Sequence, residues 1–168
     1  MPTMIQVGDL FAVVDDEDAE MVMAYTWRKL KCDRNGTVQY YARGSKIGGP
    51  RNCVLMHRLI MGFPDGNIDH KNGDKLDNQK HNLRVATVSQ NMANSRKKRN
   101  ASSRFKGVTW CKTTLQWRCR IGFDGETINL GRFDSDEAAA EAYDRAAIEL
   151  FGEFSNTNFP KERYIVHR

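Results

Sequence analysis

The chain has 168 residues, a mass of 19.2 kDa and a mean hydropathy of −0.64. That length admits one mid-sized domain or two small ones and excludes a large multidomain enzyme. Hydrophobic residues make up 40% and charged residues 28%, a balance that excludes wholesale disorder. No window approaches the roughly 18 consecutive apolar residues of a membrane span, and Met1–Met4 do not begin a signal peptide. We expect an intracellular protein that does not bind membranes.

The positive charge is concentrated in one long segment. The net charge is +5 and the pI is about 9.1, which is by itself a weak indication of an anionic partner. Between Asp77 and Asp124, however, no acidic residue occurs. The cations there are Lys80, Arg84, Arg96, Lys97, Lys98, Arg99, Arg104, Lys106, Lys112, Arg118 and Arg120. A segment with one sign of charge repels itself unless it faces a polyanion, so the pattern favours binding to nucleic acid.

Residues 1–56 are predicted to form a small β-rich scaffold. An apolar strand over 10–14 precedes several acidic residues and a short helix over about 16–25, and further β-like runs follow. Asp15 is placed to cap this helix, with the other acids in its first turn, where the helix dipole favours negative charge. A metal site made by these acids is the alternative.

Residues 57–94 have the order strand, loop, strand, helix. One or two helical turns come first, and residues 68–70 are then separated by a Gly/Asn/Asp-rich loop from a second apolar run over 83–87. Residues 88–93 are predicted to be helical. The polar, basic residues 95–104 that follow are typical of a linker.

Residues 105–160 are predicted to form a three-stranded sheet that packs on one helix, with residues 161–168 as a tail. In the run 117–121 the odd residues are apolar and the even ones are Arg118 and Arg120, so a period of two places both arginines on one polar face. Ile128 and Leu130 are predicted to point inward. A helix over about 136–151, capped by Asp134 or Ser135, carries alanines at helical spacing and can cover the other face.

Four polar residues of the strand-loop-strand-helix segment could form a catalytic site. Asp69 and Asn91 can share one divalent ion through oxygen ligands. His70 must point away from Asp69 across the strand, which leaves its imidazole available as a base near neutral pH. Asn82 could pin the loop through amide hydrogen bonds to the backbone. From spacing alone, an alternative remains open in which His70 is a partly buried histidine and the polar residues around it are simply turn residues, namely Asp69, Asn72, Asp74, Asp77, Asn78 and Asn82.

A longer pattern resembles the HNH nuclease motif of phage and intron-encoded homing endonucleases. It comprises His57-Arg58-Leu59, the run from Ile68-Asp69-His70 to Asp77-Asn78, Asn82-Leu83-Arg84-Val85-Ala86-Thr87 and Gln90-Asn91. The resemblance implies that His70 is the general base, that Asp69 and Asn91 bind the metal, and that Asn82 braces a ββα-metal hairpin. It further implies a single Mg²⁺, or another divalent ion such as Mn²⁺, and a bacterial host cell for a phage-type nuclease. His57 is interpreted as part of the scaffold or a phosphate contact.

The third part resembles the Apetala-two/ERF DNA-binding domain. The matching motifs are Phe105-Lys106-Gly107-Val108, Trp117-Arg118-Cys119-Arg120-Ile121, Leu130-Gly131-Arg132-Phe133-Asp134, Glu137-Ala138-Ala139, Ala142-Tyr143-Asp144-Arg145-Ala146-Ala147 and Asn158-Phe159-Pro160. Members of that family place a three-stranded sheet in the major groove. The residues expected to contact DNA, with those of the linker, are Arg96, Lys97, Lys98, Arg99, Arg104, Lys106, Thr109, Arg118, Arg120, Thr127 and Asn129.

Together these observations predict an α+β protein with a β-rich N-terminal segment, an HNH hairpin and a sheet packed on one helix. The predicted function is a site-directed DNA endonuclease whose C-terminal domain finds the target. Duplex DNA is the expected partner, no small-molecule substrate is expected, and the protein would act as a monomer or homodimer. The alternatives are a transcription factor with an inactive HNH scaffold and an RNA-binding module, the latter disfavoured because the major groove of A-form RNA is too narrow to read.

Overall fold

The computed structural model describes residues 1–34, 37–50, 52–97 and 102–164. The chain divides into two compact units, Met1–Thr87 and Val88–Arg168. Both combine helices with small antiparallel sheets, which confirms the predicted α+β class. Lys98 and Arg99, expected to contact DNA, lie outside the described residues. In the part of the chain that the structure describes, no helix is long and apolar enough to cross a membrane.

The first unit is built from three antiparallel sheets and two short helices, counting its described residues. In chain order the elements are β1 (Pro2–Val7), β2 (Leu10–Asp15), α1 (Asp16–Met23), β3 (Tyr25–Arg34), β4 (Thr37–Lys46), β5 (Val54–Leu55), α2 (Met56–Ile60), β6 (Asn67–His70) and β7 (Leu83–Ala86). The pairings are β1 with β2, β3 with β4, β4 with β5, and β6 with β7. The long β3–β4 hairpin is held by Trp27, which is buried and donates from its indole N–H to the carbonyl of Val22 at 2.8 Å.

The role predicted for Asp15 as a helix cap is wrong. Asp15 does occupy the N-cap position of α1, but its side chain accepts no hydrogen bond from that helix. The carboxylate instead accepts from Nε2 of Gln79 at 3.0 Å and from the backbone N–H of Lys80 at 2.7 Å. These donors belong to the loop between β6 and β7, where uncapped backbone N–H groups need acceptors.

The edge of β2 holds the same loop through backbone hydrogen bonds. Val13 N–H donates to the carbonyl of Leu76 at 2.8 Å, and Asn78 N–H donates to the carbonyl of Val13 at 2.7 Å. Nζ of Lys80 completes the connection by contacting Glu17 at 2.6 Å and Asp18 at 2.9 Å. The N-terminal segment is therefore a clamp on the β6–β7 loop.

The second unit is a three-stranded sheet with a long helix on one face. Its described elements are α3 (Val88–Asn94), β8 (Val108–Cys111), β9 (Gln116–Phe123), β10 (Glu126–Phe133), α4 (Asp136–Phe151) and the 3₁₀ helices Gly152–Phe154 and Lys161–Tyr164. The strand order is β10-β9-β8, all antiparallel. Ser135 caps α4, with Oγ accepting from Ala138 N–H at 3.1 Å. Buried residues of the sheet and α4 form the core, and Ala93 of α3 packs in it.

A close approach between sheet and helix requires glycine at position 107. Gly107 has φ +78°, and a Cβ there would lie 2.0 Å from Cδ2 of the buried Tyr143 on α4. Its carbonyl accepts from Arg120 N–H at 2.9 Å. Any larger residue would push the sheet away from the helix that covers it.

A β-bulge in β10 sets which residues lie on the uncovered face of the sheet. Asn129 pairs with Arg120 and Gly131 with Cys119, so Leu130 is the extra residue and packs against the core. Ile128 stands opposite the buried Ile121 but keeps 37% of its surface exposed. The inward position predicted for Leu130 therefore agrees with the structure. Ile128 lies on the predicted face but is only partly buried.

Candidate functional site

The β6–β7 hairpin fixes Asp69 and His70 on adjacent positions of one strand. Asp69 pairs across the sheet with Arg84, and His70 pairs with Leu83. Nε and Nη2 of Arg84 both donate to Oδ2 of Asp69, at 3.0 and 2.9 Å. Asp69 is 1% exposed, so this ion pair compensates a carboxylate that would otherwise be costly to bury.

His70 is fully buried among polar and aromatic side chains. Its Nε2 lies 3.3 Å from Oδ1 of Asn78, and since an amide oxygen can only accept, the ring carries its proton on Nε2 and Nδ1 is the basic nitrogen. The ring of His57 stands edge-on to it at 5.2 Å, and that of Tyr41 at 6.4 Å.

Burial keeps both histidines neutral. It lowers the pKa of His70 to about 4, with a further contribution from the charge of Lys75. It lowers the pKa of His57 to about 3, with His70 as the second cause. A neutral imidazole is the form that can accept a proton.

Asn82 ties the two ends of the loop together. Its Oδ1 accepts from Asn72 N–H at 3.0 Å, and its Nδ2 donates to the carbonyl of Asp77 at 2.8 Å. These are hydrogen bonds of the kind expected from the sequence. Asn78 has no predicted role beyond that of a turn residue, yet its side chain is 0% exposed and holds His70. Only the folded loop, in which Asn78 contacts His70, reveals that Asn78 holds the histidine ring.

The two predicted metal ligands lie in different units of the chain. Asp69 is on β6 in the first unit, and Asn91 is on α3 in the second. A carboxylate and an amide both offer oxygen, the ligand atom that hard divalent cations such as Mg²⁺ prefer. Among the described residues, no group of three or more His, Cys, Asp or Glu side chains is arranged to hold a metal ion.

The uncovered face of the second unit's sheet carries the predicted DNA-contacting residues of its strands. Thr109 pairs with Arg118, Asn129 with Arg120, and Thr127 with Gly122. Because directly paired residues share a face, these side chains lie on the side opposite the buried Cys119. Thr127, Asn129 and Arg120 are exposed, and Arg118 and Thr109 are partly exposed.

Arg132 belongs to this face and was missed by the sequence pattern. Strict alternation from the inward Ile128 and Leu130 would turn Arg132 toward the core. The bulge at Leu130 shifts the alternation by one residue, so Arg132 pairs with Arg118 and is exposed. The glycine at position 131 is the sequence signal that could have indicated the bulge, and in the structure it adopts φ +119°.

Two other cations predicted to contact DNA are engaged within the protein. Nζ of Lys106 donates to the carbonyl of Ala93 and lies 5.8 Å from the centre of the Tyr143 ring, and burial lowers its pKa to about 8. Arg104 pairs with Glu137 and with Asp136. Arg96 is exposed and Lys97 partly exposed.

Comparison with known families identifies two segments of the chain. Residues 54–93 match the HNH endonuclease family, and residues 103–153 match the AP2 domain. The chain therefore combines an HNH endonuclease domain with an AP2 domain, the two families that the sequence motifs predict. HNH nucleases generally use divalent metal ions.

Curated relatives match either one part or most of the chain. Protein 3.8 of Escherichia phage T7 is 33% identical over 108 residues, which cover 63% of this chain and 88% of that protein. The chain belongs to the same family as this phage protein. An uncharacterized HNH endonuclease, L560, of Acanthamoeba polyphaga mimivirus is 35% identical over 54% of this chain and 46% of its own length. APETALA2-like protein 2 of Oryza sativa subsp. indica is 42% identical over 39% of this chain.

The chain spans only about 15% of the length of that rice protein. No solved structure gives a significant match.

Proposed function

We propose that the protein is a homing-type, site-directed DNA endonuclease that hydrolyses phosphodiester bonds with a divalent metal ion and a histidine general base. The observation that carries this proposal is the buried His70, held by Asn78 beside the Asp69–Arg84 pair inside an HNH endonuclease domain. The AP2 domain adds a sheet face with three arginines that suits the search for a target on duplex DNA.

In this mechanism His70 accepts the proton of the attacking water at Nδ1. Asn78 fixes the ring from the opposite nitrogen, and Asn82 fixes the loop that carries Asn78. Arg84 orients the Asp69 carboxylate. Asp69 and Asn91 would hold Mg²⁺, or Mn²⁺ with the same ligands, and a bound ion there supplies stabilisation of the charge on the scissile phosphate.

The same proposal includes that the protein acts as a monomer or homodimer and that it acts in a bacterial host cell. The relation to a phage T7 protein supports a bacterial cytoplasm as the place of action. The predicted domain limits, with the HNH motif at 57–94, a linker at 95–104 and the DNA-binding domain at 105–160, are kept as proposals. The HNH match over 54–93 and the AP2 match over 103–153 support them.

The test is cleavage of DNA by the purified full chain and by its variant His70→Gln. With Mg²⁺ the parent should produce discrete nicks or breaks in plasmid or phage DNA. His70→Gln should lose about 10²–10⁴-fold in cleavage rate, the usual contribution of a general base, while keeping DNA affinity within a few-fold. His81→Gln is the control, because His81 is an exposed histidine of the same domain.

One result would refute the nuclease function, and another would refute the role of His70. A parent chain that binds DNA but leaves it intact with Mg²⁺ or Mn²⁺ would indicate the alternative, a DNA-binding regulator with an inactive HNH scaffold. Equal loss of binding and cleavage in His70→Gln, with an unchanged melting temperature, would show that His70 is not the base.

A further inference from the structure

The β3–β4 hairpin of the first unit is a long basic ribbon. Its strands, Tyr25–Arg34 and Thr37–Lys46, pair along their whole length. At roughly 3.4 Å for each residue they extend over about 30 Å. Residues 25–46 contain one acid, Asp33, against six cations, Arg28, Lys29, Lys31, Arg34, Arg43 and Lys46.

Two of these cations are held side by side at a cost to the fold. Arg28 and Arg43 are directly opposite each other in the register, and both are exposed. Like charges at directly paired positions destabilise a sheet. In the part of the chain that the structure describes, neither arginine forms an ion pair with a carboxylate. An external anion would offset this repulsion.

The same face of the ribbon leads to the catalytic histidine. Tyr41 lies two residues before Arg43 and therefore on the same face, about 7 Å along the strand. Its ring is 5.8 Å from that of His57 and 6.4 Å from that of His70. Asp33 falls on the opposite face by the same alternation.

We propose that this face of the β3–β4 ribbon is a second DNA-binding surface, in which Arg28 and Arg43 contact backbone phosphates close to the bond that is cut. The proposal rests on the proposed nuclease function, because it places the ribbon at the substrate of His70. The positive charge of this face indicates that its partner is DNA. Each strand of a duplex presents one phosphate about every 3.4 Å, so a ribbon of this length can place two arginines against phosphates. The major groove admits a two-stranded ribbon.

The first test measures DNA affinity against salt for the full chain without divalent ions, using a labelled duplex of mixed sequence. Arg28→Gln/Arg43→Gln should reduce the slope of log affinity against log salt by about 1.8, since each phosphate contact contributes about 0.9. Between about 50 and 200 mM salt, the parent should thus lose roughly tenfold more affinity than the variant.

The matched control is Lys31→Gln/Lys46→Gln, which removes two exposed charges from the other face of the same ribbon. Its slope should equal that of the parent, and Arg28→Lys/Arg43→Lys should restore the parent slope. The proposal is overturned if both glutamine pairs change the slope equally, or if neither changes it. Without DNA, Arg28→Gln/Arg43→Gln should melt no lower than the parent, because a repulsion is removed.

The second test places the contacts relative to the cut. Phosphate-ethylation interference on a duplex with the mapped cleavage site should show phosphates that the parent contacts and Arg28→Gln/Arg43→Gln does not. These phosphates should lie within roughly four nucleotides of the cut, since one strand presents a phosphate about every 3.4 Å. Phosphates further away would refute the proposed location. If the parent cuts no DNA, the nuclease function fails, whereas the salt slopes still decide whether the ribbon binds DNA.

Discussion

His57 and His70 show how burial decides the chemistry of a single side chain. Both would titrate near 6.5 in an open chain, but burial lowers their pKa values to about 3 and about 4. The unfolded chain therefore binds more protons than the folded one between about pH 4 and 6.5. By linkage, stability present above pH 6.5 is lost as the pH falls through that window.

We predict a fall in the free energy of unfolding of about 1.4 kcal/mol per pH unit for each of these histidines across that window. His57→Leu should roughly halve their combined contribution, and urea unfolding at pH 5 and pH 8 measures it. The difference in the free energy of unfolding between His57→Leu and the parent at pH 8 gives the effect of the substitution on packing alone. A variant with the same pH dependence as the parent would show that His57 is not buried in its neutral form.

At the scale of elements, the N-terminal hairpin and α1 hold the loop that carries the site. Asp15 accepts two hydrogen bonds from that loop, and Val13 forms backbone hydrogen bonds with it. Asn78, which contacts His70, is on this clamped stretch. Residues 1–23 therefore contribute to the site through the loop, although none of them belongs to the HNH motif.

Asp15→Ala is expected to lower stability by about 1–2 kcal/mol, because it leaves a backbone N–H and an amide without their charged acceptor. It should also slow cleavage while leaving DNA affinity unchanged, since His70 loses a rigid support. Glu20→Ala is the control, as Glu20 is an exposed acid on α1, the helix that directly follows Asp15. Cleavage at the parent rate by a folded Asp15→Ala protein would argue against a positioning role.

The sheet of the AP2 domain depends on the bulge in β10. That bulge turns Arg132 to the face of Arg118 and Arg120, which adds a third arginine to the predicted DNA surface. The same bulge leaves Leu130 packed against the core.

Each of Arg118→Ala, Arg120→Ala and Arg132→Ala is predicted to weaken specific DNA binding by about 1–3 kcal/mol where a bidentate base contact is lost. Competition binding against a selected target and random DNA measures this loss. Arg145→Gln on the exposed side of α4 should bind as the parent does, since α4 covers the other face of the sheet. Parent-like specificity in all three alanine variants would exclude this face as the reading surface.

At the scale of the whole molecule, α3 belongs by sequence to the HNH match and by structure to the second unit. Ala93 is buried in that core, its carbonyl accepts from Asn156 N–H at 3.3 Å, and Asn156 Nδ2 donates to the carbonyl of Asn94 at 3.1 Å. Ser89 Oγ accepts from Asp124 N–H at 3.0 Å.

A chain of residues 88–168 should therefore be more stable than one of residues 95–168. With a net contribution of about 1 kcal/mol for each hydrogen bond lost, the difference should be about 2–4 kcal/mol in urea unfolding. In the full chain, Ala93→Asp should destabilise the second unit, whereas Met92→Asp should not, because Met92 is exposed. Equal stability of the two pieces would show that α3 is not part of this unit.

The sequence by itself determined most of the strands and helices and the HNH and AP2 families of its two matched parts. Periods of two and of 3.6 residues predict β9 and α4, and the motif around Asp69-His70 predicts an HNH site, because these signals are local and depend on few neighbours. The tertiary structure decided the contacts that the spacing of residues in the sequence cannot indicate. Asp15 finds its hydrogen-bond partner some 65 residues away, and Asn78 contacts His70. The bulge exposes Arg132, and the strand register places Arg28 opposite Arg43. Each depends on register or on chain closure, and a shift of one residue reverses the face on which a side chain lies.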